Sequence, residues 1–177
     1  MPKRKLNNFT LLTPFSSHVC SCQSFVGRIG IHQQPQGLTL GPGGCVNVRT
    51  ALHELGHAIG FYHEHTRPDR DEHLHMFMNN VLQDAESQFN KIPEGGSNLL
   101  GYGYDHASIM HYDSDYFSRN GQDTMQAKDP TIPFGGAEEL SPLDIAKANV
   151  LYSCGKISFF FFFFQRHYDV IKISCYK

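Results

Sequence analysis

His53-Glu54-Leu55-Gly56-His57 is the stretch of this 177-residue sequence whose residue types and spacing suit metal chemistry. On a helix, positions i and i+4 share one face, so the two imidazoles can grip a single ion. Glu54 then lies beside the ion, where it can take a proton from a water held there. The pattern is H-E-x-x-H, a zinc metalloprotease motif. A shuffled chain of this composition would contain the short form roughly 3% of the time, so alone it is only moderately specific. Gly60 and His63 extend it to H-E-x-x-H-x-x-G-x-x-H. The chance rate then falls to about one or two in ten thousand. Glycine permits the sharp left-handed turn that swings His63 round as a third ligand. Three histidines plus water is the open coordination of catalytic zinc, whereas a structural site closes the fourth position with protein. One Zn2+ per chain is expected on His53, His57 and His63, with Glu54 as general base. A helix that carries histidines by chance, or a purely structural histidine set, is the competing reading.

These side chains need a helix to hold them and a fold to hold the helix. Residues 49–61 supply it, with Leu52, Leu55, Ala58 and Ile59 at spacings of 3 and 4. Gly60 sits where that helix should stop. Upstream, Ser24-Phe25-Val26 and Leu38-Thr39-Leu40 read as short strands joined by turns. Downstream, residues 66–135 are turn-rich, with a short helix around 80–89 and a turn at Pro93-Glu94-Gly95-Gly96. Ser141-Pro142-Leu143-Asp144 opens a second helix, with Ser141 as N-cap and Pro142 at N1. Ile145, Ala148, Val150 and Leu151 would form its apolar face. No internal repeat is visible.

The stretch HELGHAIGFYHEHTRPDRD, residues 53–71, closely resembles the astacin family of metzincin metalloendopeptidases. Glu64, directly after the third histidine, is a mark of that family, as is Arg67-Pro68-Asp69-Arg70. A second family motif follows at Ser108-Ile109-Met110-His111-Tyr112. Cys22 to Arg28 and Gly44-Cys45 also resemble the family's upstream region. The resemblance covers about residues 20–154, and 140–154 leans towards the tolloid-like branch. It implies an α+β fold: a metzincin two-lobed catalytic domain with an active-site helix and a Met-turn. The first lobe would carry the strands with His53, Glu54 and His57, and the second His63, Met110 and Tyr112. By the same resemblance Met110 is the apolar floor beneath the metal, and Tyr112 a weak, movable ligand that turns to the oxyanion. Gly60 and Glu64 support the site, and Cys22–Cys45 is a disulfide. Alone, Met110 and Tyr112 would be read as core residues. His65, His73, His75, His106 and His111 are read as surface or locally bonded, with no metal role. Asp69, Arg70 and Asp71 are read as structural or solvated.

The implied activity is zinc-dependent endopeptidase, hydrolysing internal peptide bonds of proteins through a water held on the metal. Protein or peptide substrates would bind as an added strand beside 22–26. Acid-selective tolloid-like enzymes place basic side chains near the primed pocket; residues 129–136 carry none, which puts such a preference in doubt. The alternative is a truncated, catalytically inactive zinc-binding fragment that acts as a binding protein.

Composition narrows the rest. Net charge is −2, which argues against a nucleic-acid partner. The longest apolar run, 157–164, falls short of the roughly 20 residues of a membrane span. Residues 1–5 are basic, but no apolar stretch follows, so no signal peptide is read. Asn8-Phe9-Thr10 is a glycosylation sequon that matters only in an exported chain. Disulfides need an oxidising compartment, so the natural product is expected to be secreted. The domain reading is an uncertain segment over 1–19, a partial catalytic domain over 20–155, and an atypical tail over 156–177. Six consecutive phenylalanines, Phe159 to Phe164, lead to one reading of that tail as not native; a buried aromatic strand is the other. In the family, a strand and a long helix precede the Cys22 region, so the N-terminal lobe is expected to be incomplete. The usual partner of Cys154 would then be missing. So would the amino terminus that the family buries near Glu64, which leaves a costly unpaired carboxylate.

Overall fold

A computed structural model describes the backbone of residues 22–24, 38–40, 47–93, 99–162 and 170–176, and the side chains of 47–93 and 99–155. The sequon, Phe25, Val26, the turn from Glu94 to Gly96, Cys20 and Cys45 lie outside the described residues, as does the side chain of Cys22. The chain divides into two compact units, one of Met1–Phe61 with Asp144–Lys177, the other of Tyr62–Leu143.

In the first unit, β1 (Cys22–Ser24) pairs antiparallel with β2 (Leu38–Leu40), with Gln23 opposite Thr39. Both lie against α1 (Val48–Ala58). The Asn47 side chain caps α1 by accepting from the Thr50 amide at 2.8 Å, which satisfies one orphan N–H of the first turn. Leu52, Leu55, Ala58 and Ile59 are all buried, as their spacing predicts. Each fully buried leucine or isoleucine contributes roughly 1.5–3 kcal/mol.

The second helix, α2 (Pro142–Tyr152), starts at Pro142, as predicted. Its buried face differs from the prediction. Asp144, Lys147, Ala148, Leu151 and Tyr152 face inward, while Ile145 is 40% and Val150 52% exposed. Residues 144, 148 and 151 set the buried stripe by their spacing of 4 and 3, and Val150 falls off it. The Tyr152 hydroxyl donates to the Ile59 carbonyl at 2.8 Å, so α2 is tied to the end of α1. Beyond it, β5 (Lys156–Phe162) and β6 (Val170–Tyr176) form an antiparallel hairpin. The phenylalanine run thus begins within a strand.

In the second unit, β3 (Leu74–Met76) pairs antiparallel with β4 (Met125–Ala127). Leu74, Val81, Ala85, Phe89, Tyr112 and Met125 form its apolar core. The helix expected at 80–89 is instead two 3-10 segments, Met78–Asn80 and Gln83–Phe89. Val81 breaks the run: it is extended at ψ 141° and bridges to Ser118. Ala85 and Phe89, four residues apart, are the buried residues of the second segment.

Candidate metal centre

The end of α1 builds half of the site. Gly60 has φ 106°, a conformation costly for any residue with a Cβ. That turn lets the Gly60 amide donate to the His57 carbonyl and the Phe61 amide to the Gly56 carbonyl, each at 2.9 Å. This is the Schellman pattern, with glycine at the position after the cap. It also aims the Phe61 carbonyl at the His57 ring, where it accepts from Nδ1–H at 2.8 Å. A carbonyl has no proton to give, so Nδ1 carries the hydrogen and Nε2 keeps its lone pair. Such an outer bond orients a metal-ligating histidine and fixes its tautomer. Burial, then the neighbouring His53, pushes His57 down to about 4. The ring is therefore neutral, the form that binds a metal.

His53, His57 and His63 each offer a ligand nitrogen, and these atoms lie within 4.8 Å of one another. The His53 and His57 rings meet edge to face at 4.8 Å between centroids. Three imidazoles, at least one held neutral, make a donor set that fits zinc. Glu54 is buried on the same helix, at 6% exposure.

Ser108 to Tyr112 form a tight turn in the second unit. The His111 amide donates to the Ser108 carbonyl at 3.0 Å, and the Met110 amide to Ser108 Oγ at 3.0 Å. Met110 is buried, and its carbonyl accepts the Glu64 amide at 3.0 Å. The turn is thereby joined to the residue that follows His63. The Tyr112 ring lies 4.4 Å from the His63 ring and 4.1 Å from the His65 ring.

Glu64 is buried but not unpaired, contrary to expectation. It accepts from Arg67 Nη1 at 2.9 Å and from the Asp105 amide at 2.9 Å. Arg67, three residues on along a 3-10 turn, supplies the opposite charge locally. Arg67 also grips Asp69 through two bonds of 2.9 and 2.7 Å. Burial works against its charge, but Asp69 and Glu64 prevail and raise its pKa. Arg70 is structural, 9% exposed and donating to the His65 and Phe89 carbonyls, while Asp71 beside it is exposed.

One histidine is corrected as well. His65 is 0% exposed, and its Nε2 bonds the Gln88 carbonyl at 3.0 Å. It is a core residue with a distant partner. His111 is buried too, though locally bonded as expected: Nδ1–H donates to the Tyr112 carbonyl at 2.7 Å. Burial pushes His111 down to about 4. Sequence reading missed the roles of Phe61, Arg67, Tyr104 and Asp105. Only Arg67 left a signal, an opposite charge three residues after Glu64. Cys154 is disulfide-bonded.

A profile of the Astacin peptidase family matches residues 7–153. The chain belongs to the astacin family. It is 42% identical over 159 residues to Zinc metalloproteinase nas-8 of Caenorhabditis elegans, covering 89% of this chain and 38% of that protein. It is 47% identical over 135 residues to Zinc metalloproteinase nas-6 of the same organism, covering 75% of this chain and 38% of that protein. It is 42% identical over 147 residues to human Tolloid-like protein 2, covering 79% of this chain and 14% of that protein. The chain thus spans well under half the length of these relatives. Among solved structures it matches High choriolytic enzyme 1, a hatching enzyme zinc-protease from Oryzias latipes (medaka fish). The TM-score is 0.71 at 36% identity, covering 85% of this chain and 72% of the other. The fold is accordingly the astacin metzincin fold. No helix among the described residues is long and apolar enough to cross a membrane.

Proposed function

We propose that this astacin-family chain is a zinc-dependent endopeptidase that hydrolyses internal peptide bonds of proteins. The observation that carries the reading is the histidine triad, His53, His57 and His63, with the His57 tautomer fixed by the Phe61 carbonyl. These three residues would hold the ion, and Met110 would floor the site. Bound zinc supplies Lewis acidity, which activates water near neutral pH and polarises the scissile carbonyl. Glu54 takes the proton of the attacking water and delivers it to the leaving amine. The Tyr112 phenol donates to the oxyanion of the tetrahedral intermediate, a contact typically worth about 3–4 kcal/mol. Gly60 and Glu64 keep the ligands in place.

The catalytic domain is read as residues 20–155, two-lobed, with 1–19 and 156–177 flanking it. Protein or peptide substrates add as a strand beside β1, and no nucleic-acid partner is proposed. A Cys22–Cys45 disulfide and export from the cell go together with the bonded state of Cys154, since such bonds persist in oxidising compartments. The test is hydrolysis of a generic protein substrate, abolished by a chelator and restored by zinc. No hydrolysis at full zinc stoichiometry would make the chain a zinc-binding protein and not an enzyme.

A further inference from the structure

A short relay of side chains ends on the backbone of Tyr112. The Tyr104 hydroxyl and His111 Nε2 are 2.8 Å apart, and His111 Nδ1 lies 2.7 Å from the Tyr112 carbonyl. The carbonyl can only accept, so Nδ1 carries the proton. Nε2 on the far side of the ring faces the phenol of Tyr104. The ring is thus held from both sides. His111 is 3% exposed and packs against Phe134 at 4.9 Å between ring centroids. Tyr104 is held in turn. The Arg67 guanidinium sits 5.5 Å from its ring centroid, and His73 stacks on it at 4.6 Å. Arg67 also donates to the carbonyls of Gly103 and Tyr102, at 2.9 and 3.2 Å.

The Tyr112 ring, meanwhile, lies over His63. Its phenol can serve an oxyanion only if the backbone that carries it stays put. A misplacement of about 1 Å at such a group can cost 100-fold in rate. We propose that Tyr104 and His111 are a positioning pair that fixes the Tyr112 backbone and so sets the reach of its phenol. Neither touches the substrate. The inference rests on the peptidase reading for the role of Tyr112, but not for the geometry. A buried histidine that merely satisfies its neighbours would stabilise the fold and do nothing specific to Tyr112.

The test is a double-mutant cycle of Tyr104→Phe and Tyr112→Phe, with kcat and KM measured on zinc-loaded protein. It is paired with carbon-13 tyrosine spectra of the zinc-free chain. Tyr104→Phe should lower kcat roughly 10-fold or more, the usual effect of an outer-shell partner, with KM and zinc stoichiometry unchanged. In the Tyr112→Phe background the same change should cost less than about twofold. The Tyr112 ring signals should shift in Tyr104→Phe while those of Tyr62 and Tyr152 do not. An equal kcat loss in both backgrounds, or an unmoved Tyr112 signal, would overturn the pair. If Tyr104→Phe fails to fold, His111→Gln is judged in the same way. If the unmutated chain does not hydrolyse peptides, the peptidase reading fails, and the tyrosine spectra alone decide the positioning pair.

Discussion

Arg67 Nη1 and Glu64 Oε1 are 2.9 Å apart, and the two side chains are 5% and 7% exposed. The pair sits directly after the third ligand and beneath the Asp105 amide. Removing one member of a buried pair leaves the other charge uncompensated, at a typical cost of about 3–5 kcal/mol. Arg67→Met should therefore lower the urea midpoint sharply. Arg67→Met combined with Glu64→Gln should regain part of the loss. Equal stability of Arg67→Met and the parent chain would show that the pair contributes nothing.

The same arginine gives the fold an acid limit. Its hydrogen bond, outweighing partial burial, holds Asp69 below the ordinary carboxylate range. A lowered folded pKa means that the unfolded chain takes up the proton first as pH falls. The stabilisation is fully present above about pH 4, the unfolded value. It is lost as pH drops through the folded value. Denaturation curves of zinc-free protein at stepped pH should show this loss, and Asp69→Asn should flatten it. An unchanged acid limb in the variant would assign the effect elsewhere.

At the metal, Glu54→Ala should retain zinc and lose peptide hydrolysis by about 100- to 10,000-fold, the range of a general base. Metal analysis and kcat/KM on the same preparation decide it. Retained hydrolysis would exclude Glu54 as the base.

His57→Ala should lose the metal itself. The measured zinc content should fall well below one per chain. Normal stoichiometry would break the ligand set.

Gly60→Ala tests the turn that brings His63 round. Its φ of 106° is one that alanine adopts only with strain, at about 1–2 kcal/mol. Thermal unfolding of the zinc-free chain measures the cost, and zinc affinity should fall with it. A variant as stable as the parent would mean that the turn relaxes without penalty.

What can be read from the sequence is local. The ligand spacing, the glycine stop and the start of α2 at Pro142 each rest on a few adjacent residues. The stripe of α2 is misread when every hydrophobic residue is taken as an inward one. Val150 is exposed, while the charged Asp144 and Lys147 are buried. The partners of Glu64 and His65 are out of reach for another reason. Asp105 lies 41 residues from Glu64 and Gln88 lies 23 from His65. No periodicity encodes a hydrogen bond across such a loop. The backbone carbonyl of Phe61 is invisible because any residue type provides one.

The Schellman turn is also a contact of short range. His57, Gly60 and Phe61 are neighbours along the chain, so closing the contact that orients His57 costs little loop entropy. The Glu64–Asp105 contact has to close 41 residues first. The orientation of His57 is therefore a property of one helix end, whereas the seat of Glu64 depends on residues far along the chain.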